Sequence, residues 1–169
     1  MQPSIRTVGV VGTGVIGASW TALFLSRGLR VLVTDPAPGA EDRLFAYLRE
    51  SWPILEGLGL HKEASISNCT FVSGGLDCLS EVDFVQEVRI CLIMIHLFLS
   101  QNCIQNAPEK PDLKQNLFAE LDYKVKKDIV IASSSSGIPS SQFISKCKHP
   151  ERILIGHPFN PPHLVLQCV

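Results

Sequence analysis

A chain of 169 residues has room for a packed core in one domain of ordinary size. Fifteen basic against sixteen acidic side chains give a net charge of −1, which offers no field to attract nucleic acid or an anionic membrane. Hydrophobic residues make up 46% and the mean hydropathy is +0.21, high for a soluble domain, and the run at 88–105 contributes to that excess.

Residues 7–12 form a β-branched run ending in Gly12, the pattern of a strand buried on both faces of a parallel sheet. From Val15 the apolar residues Ile16, Trp20, Leu23 and Phe24 recur at helical spacing, and Gly28 is a natural stop. A second strand is predicted over 30–35. After the break at 36–39, residues 40–58 read as a long amphipathic helix with Leu44, Tyr47, Leu48, Trp52 and Leu55 on one side. Pro53 is a point where that helix kinks or ends. Strands are predicted at 69–72 and 82–86, a helix with proline at its first turn over 111–121, and a strand over 128–133. A short helix over 140–146 and a final strand over 152–156 close the order. Strands alternating with helices in this way imply a doubly wound, mostly parallel α/β sheet.

The six cysteines (Cys69, Cys78, Cys91, Cys103, Cys147, Cys168) show neither C-x-x-C pairing nor a zinc spacing, so they read as free thiols in a reducing compartment. No metal site is expected. Met1 to Arg6 lead into the first strand without an apolar signal segment, which makes the cytosol the expected location. The apolar run at 88–105 is too short and too interrupted, by Arg89 and His96, to span a bilayer, which needs roughly 20 apolar residues.

Residues 12–17 spell G-x-G-x-x-G between a buried strand and a helix. Gly12 permits the sharp turn, Gly14 lets the backbone approach a pyrophosphate, and Gly17 lets the helix lie close to the sheet. The helix start at Val15 and Ile16 adds unpaired N–H groups and partial positive charge for phosphates. Asp35 stands 18 residues beyond Gly17, where a carboxylate accepts hydrogen bonds from ribose hydroxyls and repels a 2′-phosphate. NAD is therefore favoured over NADP. His157 follows the last strand, at the edge where open α/β sheets bind ligands, and imidazole suits the removal of a proton from an alcohol. Tyr123 and Lys127 have Y-x-x-x-K spacing, but they precede a strand instead of opening a helix after it, so they read as a solvated loop.

The segments VGVVGTGVIGASW (8–20), DPAPGAE (35–41) and GHPFNPPH (156–163) resemble the NAD-binding domain of the 3-hydroxyacyl-CoA dehydrogenase family. The closest likeness is to its branch of carnitine 3-dehydrogenase and L-gulonate 3-dehydrogenase, which is lambda-crystallin-like. The resemblance covers residues 5–87 and 106–165. It implies a Rossmann-type fold, NAD as cofactor, and reversible oxidation of a 3-hydroxy group on an acyl-CoA, carnitine or a sugar acid. It implies Gly12, Gly14, Gly17 and Asp35 on the adenosine diphosphate, and Glu109 and Lys114 on the nicotinamide side. It also places His157 as the catalytic base, with Ser136 and Asn160 orienting the reacting atoms. The full-length family member is expected to form a homodimer.

Three departures accompany the likeness. At 134–138 the sequence SSSGI replaces the family's N-T-S-S-L. Phe84-Val-Gln-Glu87 would run directly into Asn106-Ala-Pro-Glu109 if 88–105 were deleted, 18 residues or 54 in-frame nucleotides. A valine codon can open with GT and a glutamine codon can be CAG, so the insertion reads as a retained intron. It is expected to disturb the turn that places Glu109. Finally, Val169 occupies the position of a family glutamate twelve residues after the histidine, and the helical C-terminal domain is not expected within this chain. Residues 1–169 thus read as one NAD-binding domain interrupted at 88–105. Three readings stay open: a dehydrogenase or impaired part of one, a non-catalytic NAD-binding or crystallin-like protein, and a truncated product without a stable fold.

Overall fold

The computed structural model describes residues 5–73, 75–88 and 111–165. Strand β1 (Thr7–Val11) leads into helix α1 (Val15–Ser26), strand β2 (Arg30–Thr34) and helix α2 (Ala40–Leu58). Strands β3 (Cys69–Phe71) and β4 (Phe84–Glu87), helix α3 (Pro111–Lys124), and strands β5 (Val130–Ser133) and β6 (Ile153–Ile155) follow. The six strands form one sheet in the order β3-β2-β1-β4-β5-β6, and all five pairings are parallel. The chain winds outward from β1 to β3, then crosses back to β4 and winds the other way. The crevice at the carboxyl ends of β1 and β4 is the topological switch point, where ligands bind in such sheets.

Two apolar clusters sandwich the sheet. On one side Val8, Val10, Val31 and Val33 pack with Ala18, Ala22 and Leu25 of α1 and Leu44, Leu48 and Leu55 of α2. On the other, Val11, Val85 and Ile131 pack with Phe118 and Leu121 of α3 and with Phe143. Fully burying each such side chain stabilises by about 1.5–3 kcal/mol. Burial on both faces explains why β1 and β2 read as continuous apolar runs.

α2 runs through Pro53 to Leu58. Pro53 and Arg49 both lie on the exposed side, so the Arg49 carbonyl that loses its helical donor can bond water. The helix expected over 140–146 shrinks to a single 3₁₀ turn, Ser140–Gln142. Phe143 is drawn into the core against Phe118, with ring centres 4.6 Å apart. The amides of Lys148 and His149 turn to the Asp122 carboxylate at 2.6 and 3.1 Å, which pulls the chain out of helical geometry. β4 begins two residues later than the apolar pattern suggests, because the Asp83 side chain accepts from the amides of Arg6 and Thr7, both at 2.9 Å.

Arg152 and Asp122 form a buried ion pair joining α3 to the start of β6, with the guanidinium Nε and Nη2 at 3.0 and 2.7 Å from Oδ1. Cys69, Cys78 and Cys147 are free thiols. Burial pushes the Cys69 thiol up to about 12, with the Glu41 charge adding to the effect. Among the described residues no helix is long and apolar enough to cross a membrane.

Candidate functional site

The glycine turn between β1 and α1 is built by close approach. Gly12 has φ of 102° and donates its N–H to the Thr34 carbonyl at 2.9 Å, joining the turn to the end of β2. A Cβ on Gly17 would stand 2.0 Å from the Gly12 carbonyl oxygen, so only glycine lets the helix sit this close. At Gly14 the opposite holds: a Cβ there would meet nothing within 4 Å. Gly14 is the N-cap of α1 and provides no side-chain cap for the first-turn amides. Val15 is 72% exposed beside it, and Ile16 is half-buried.

Asp35, at the end of β2, is buried against this turn. Its Oδ2 accepts from the Thr13 N–H at 2.7 Å and the Thr13 hydroxyl at 2.8 Å, while Oδ1 accepts from the Ala37 N–H at 2.9 Å. An ionised carboxylate has about four acceptor positions. Three are occupied, so the carboxylate is fixed in place with capacity left for a ligand hydroxyl.

Across the switch point lies a buried polar network absent from the sequence reading. Glu87 is fully buried at the end of β4. It accepts from the Ser133 hydroxyl at 2.7 Å and pairs with Lys114 Nζ at 3.1 Å. Lys114 itself is 7% exposed and lies 5.5 Å from the centre of the Phe143 ring. Ser134 Oγ accepts from Gln86 Nε2 at 2.8 Å and from the Trp20 indole at 3.1 Å, linking β4, α1 and the turn after β5. A charged residue at the carboxyl end of a buried strand was the signal that could have singled out Glu87.

His157 follows β6 by two residues and is half-buried. Among the described residues it has no hydrogen-bonded partner. Ser136, beyond β5, and Asn160 are both exposed, and neither is hydrogen-bonded to His157. The fold thus brings these three to the same carboxyl edge of neighbouring strands without tying them to one another. Residues 89–110, which include Glu109 and the apolar segment from Arg89 onward, and Val169 lie outside the described residues.

Farther along the same segment, His163 is buried between α1 and α2. Its Nδ1 lies 2.6 Å from Ser19 Oγ and 3.5 Å from the Tyr47 hydroxyl, and its backbone N–H donates to Ser19 Oγ at 3.1 Å. Desolvation holds the imidazole below its usual titration range, which keeps it neutral.

A model of the 3-hydroxyacyl-CoA dehydrogenase NAD binding domain matches residues 7–168. The chain belongs to the 3-hydroxyacyl-CoA dehydrogenase family. It is 46% identical over 166 residues to a 3-hydroxyacyl-CoA dehydrogenase of Gibberella moniliformis, covering 98% of this chain and 46% of that protein. It is 43% identical over 162 residues to an L-carnitine dehydrogenase of Nocardiopsis dassonvillei, covering 96% and 44%. Among solved structures, an NAD⁺-dependent 5-formyl-3-hydroxy-2-methylpyridine 4-carboxylic acid 5-dehydrogenase superposes with a TM-score of 0.74 at 27% identity. That match covers 95% of this chain and 46% of that one. The chain therefore spans about half the length of the curated relatives it matches.

The cofactor of this 3-hydroxyacyl-CoA dehydrogenase domain is NAD. The residues present fit it: an uncapped helix start suits a diphosphate, the space over Gly14 admits its backbone approach, and Asp35 offers a fixed acceptor.

Proposed function

We propose that this chain carries the cofactor-binding part of a dehydrogenase that oxidises a 3-hydroxy group to the 3-oxo form. The substrate class is a hydroxyacyl-CoA, carnitine or a sugar acid. The observation that carries the reading is the glycine turn locked to Asp35 through Thr13 at the switch point of the sheet. In this reading the amides at Gly14, Val15 and Ile16 hold the diphosphate, and Gly12 and Gly17 allow its approach. Asp35 accepts from the adenine ribose, and Lys114 and Glu109 line the nicotinamide side. NAD⁺, when bound, supplies the hydride acceptor. His157 takes the alcohol proton, while Ser136 and Asn160 orient the reacting carbon and oxygen.

An imidazolium without a neighbouring carboxylate is poorly stabilised. Valine at position 169, where the family resemblance puts a glutamate, argues for slow turnover by this chain. The absence of a hydrogen-bonded partner for His157 among the described residues also favours a second reading, a non-catalytic NAD-binding protein. NADH fluorescence titration followed by NAD⁺ reduction assays with 3-hydroxybutyryl-CoA, carnitine and L-gulonate separates these. Affinity with turnover supports the dehydrogenase, affinity alone supports the second reading, and a folded chain without affinity rejects both.

Residues 88–105 are, in the same proposal, a retained intron within one Rossmann-type domain. Support comes from β4 being paired on both edges, by β1 and β5, so its two ladders are filled by described strands. Mature transcripts carrying the 54 nucleotides would overturn that proposal.

A further inference from the structure

The geometry points to Ser19 and His163 as a positioning pair that fixes the His157 segment against the helix bearing the glycine turn. The inference rests on the dehydrogenase reading above and extends it to residues that touch neither cofactor nor substrate. Ser19 is fully buried on α1, two residues beyond Gly17, and His163 is 7% exposed. One serine oxygen meets one residue twice. The His163 backbone N–H can only donate, so Ser19 Oγ accepts from it at 3.1 Å. Ser19 Oγ and the imidazole Nδ1 share a second hydrogen bond at 2.6 Å, in which the donor is set by the imidazole tautomer. Tyr47 of α2 closes the cluster, edge-on to the imidazole with ring centres 5.9 Å apart.

The link matters because of what lies between its ends. Only five residues separate His157 from His163, and three of them are Pro158, Pro161 and Pro162. Proline fixes φ near −65°, so the segment is stiff, and Pro158 and Pro162 are buried as well. The amides of Leu164 and Val165 both bond the Pro161 carbonyl at 3.0 Å, closing a turn around the pinned histidine. A hold at His163 is therefore carried back to Asn160 and His157. Its other end is the helix whose first turn faces the proposed diphosphate. One hydroxyl thus sets the distance between the cofactor side of the site and the proton acceptor, residues 144 positions apart being joined directly.

The test uses the full chain with Ser19→Ala, His163→Leu and His163→Asn. Asparagine places a side-chain amide close to where Nδ1 stands, so it keeps a hydrogen-bonding partner for Ser19 Oγ while removing the imidazole. Amide hydrogen exchange over 157–165 is expected to quicken about tenfold in Ser19→Ala and His163→Leu, the scale of one lost buried hydrogen bond. Exchange in β1, β2 and β4 should stay unchanged, and His163→Asn should restore protection. Addition of NADH should shift the His157 ring signals in the wild type and in His163→Asn, and not in the other two variants. NADH affinity itself should be the same in all four proteins.

Unchanged exchange in Ser19→Ala, or His163→Asn behaving like His163→Leu, overturns the pin. An undiminished His157 response in Ser19→Ala overturns its positioning role. Failure of the wild type to bind NADH is a different result: it rejects the dehydrogenase reading and the positioning role with it, while exchange still decides whether the pin exists.

Discussion

The β1–β3 half and the β4–β6 half of the sheet carry their candidate residues in different ways. In the first, everything proposed to hold the diphosphate and the adenine ribose comes from one continuous stretch, residues 7–37, and is tied by short hydrogen bonds through Thr13, Asp35 and Ala37. In the second, Ser136 arrives after β5 and His157 and Asn160 after β6, and among the described residues they are not bonded to one another. Two buried ion pairs, Glu87 with Lys114 and Asp122 with Arg152, tie α3 to the end of β4 and to the start of β6 in this half. A site half built from local chain is preorganised as soon as its strand, turn and helix form. A half assembled from distant segments depends on tertiary contacts that a single substitution can break.

The sharpest way to break this contrast is Arg152→Leu. It leaves the Asp122 carboxylate buried without its counter-charge, and removing one partner of such a pair costs about 3–5 kcal/mol. Urea denaturation should register the loss, and exchange should report it first in α3 and β6, with β1 to β3 protected longer. Undiminished stability would mean the second half does not lean on its buried ions.

Within the first half, Gly17→Ala and Gly14→Ala form a matched pair. A methyl at Gly17 meets the Gly12 carbonyl at 2.0 Å, so overpacking should cost about 1–3 kcal/mol and weaken NADH binding. At Gly14 the methyl meets no protein atom within 4 Å, so thermal stability should hold while NADH affinity falls. Equal stability losses would contradict the structure. Asp35→Ala is expected to lower NADH affinity about tenfold, the scale of one hydrogen bond to a charged group, as measured by fluorescence titration.

The smallest expected effect is the acid limb. Burial acts to raise the Asp122 carboxyl, but the Arg152 guanidinium and the amides of Lys148 and His149 outweigh it and hold the group below its ordinary value. A depressed folded-state value contributes stability that is fully present above the unfolded value of about 3.9. That contribution is lost as pH falls from there through the lower folded value. Asp83, drawn down by the Arg6 and Thr7 amides, follows the same sign. Denaturation midpoints of Asp122→Asn should therefore depend less steeply on pH below about 4 than those of the wild type.

The sequence by itself determined the first half almost to the residue. A β-branched run, a glycine turn and an apolar helix need only neighbours along the chain, and the helix over 40–58 was legible throughout. The fold class followed from the alternation of strands and helices. Tertiary structure decided the rest. It reduced the helix at 140–146 to one turn because Asp122 captures the Lys148 and His149 amides. It made Glu87 half of a buried ion pair, and it joined Ser19 to His163. Periodicity and spacing record what a residue does to its own segment. Which distant hydroxyl, carboxylate or ammonium completes its hydrogen bonds is fixed only when the segments pack and water is excluded.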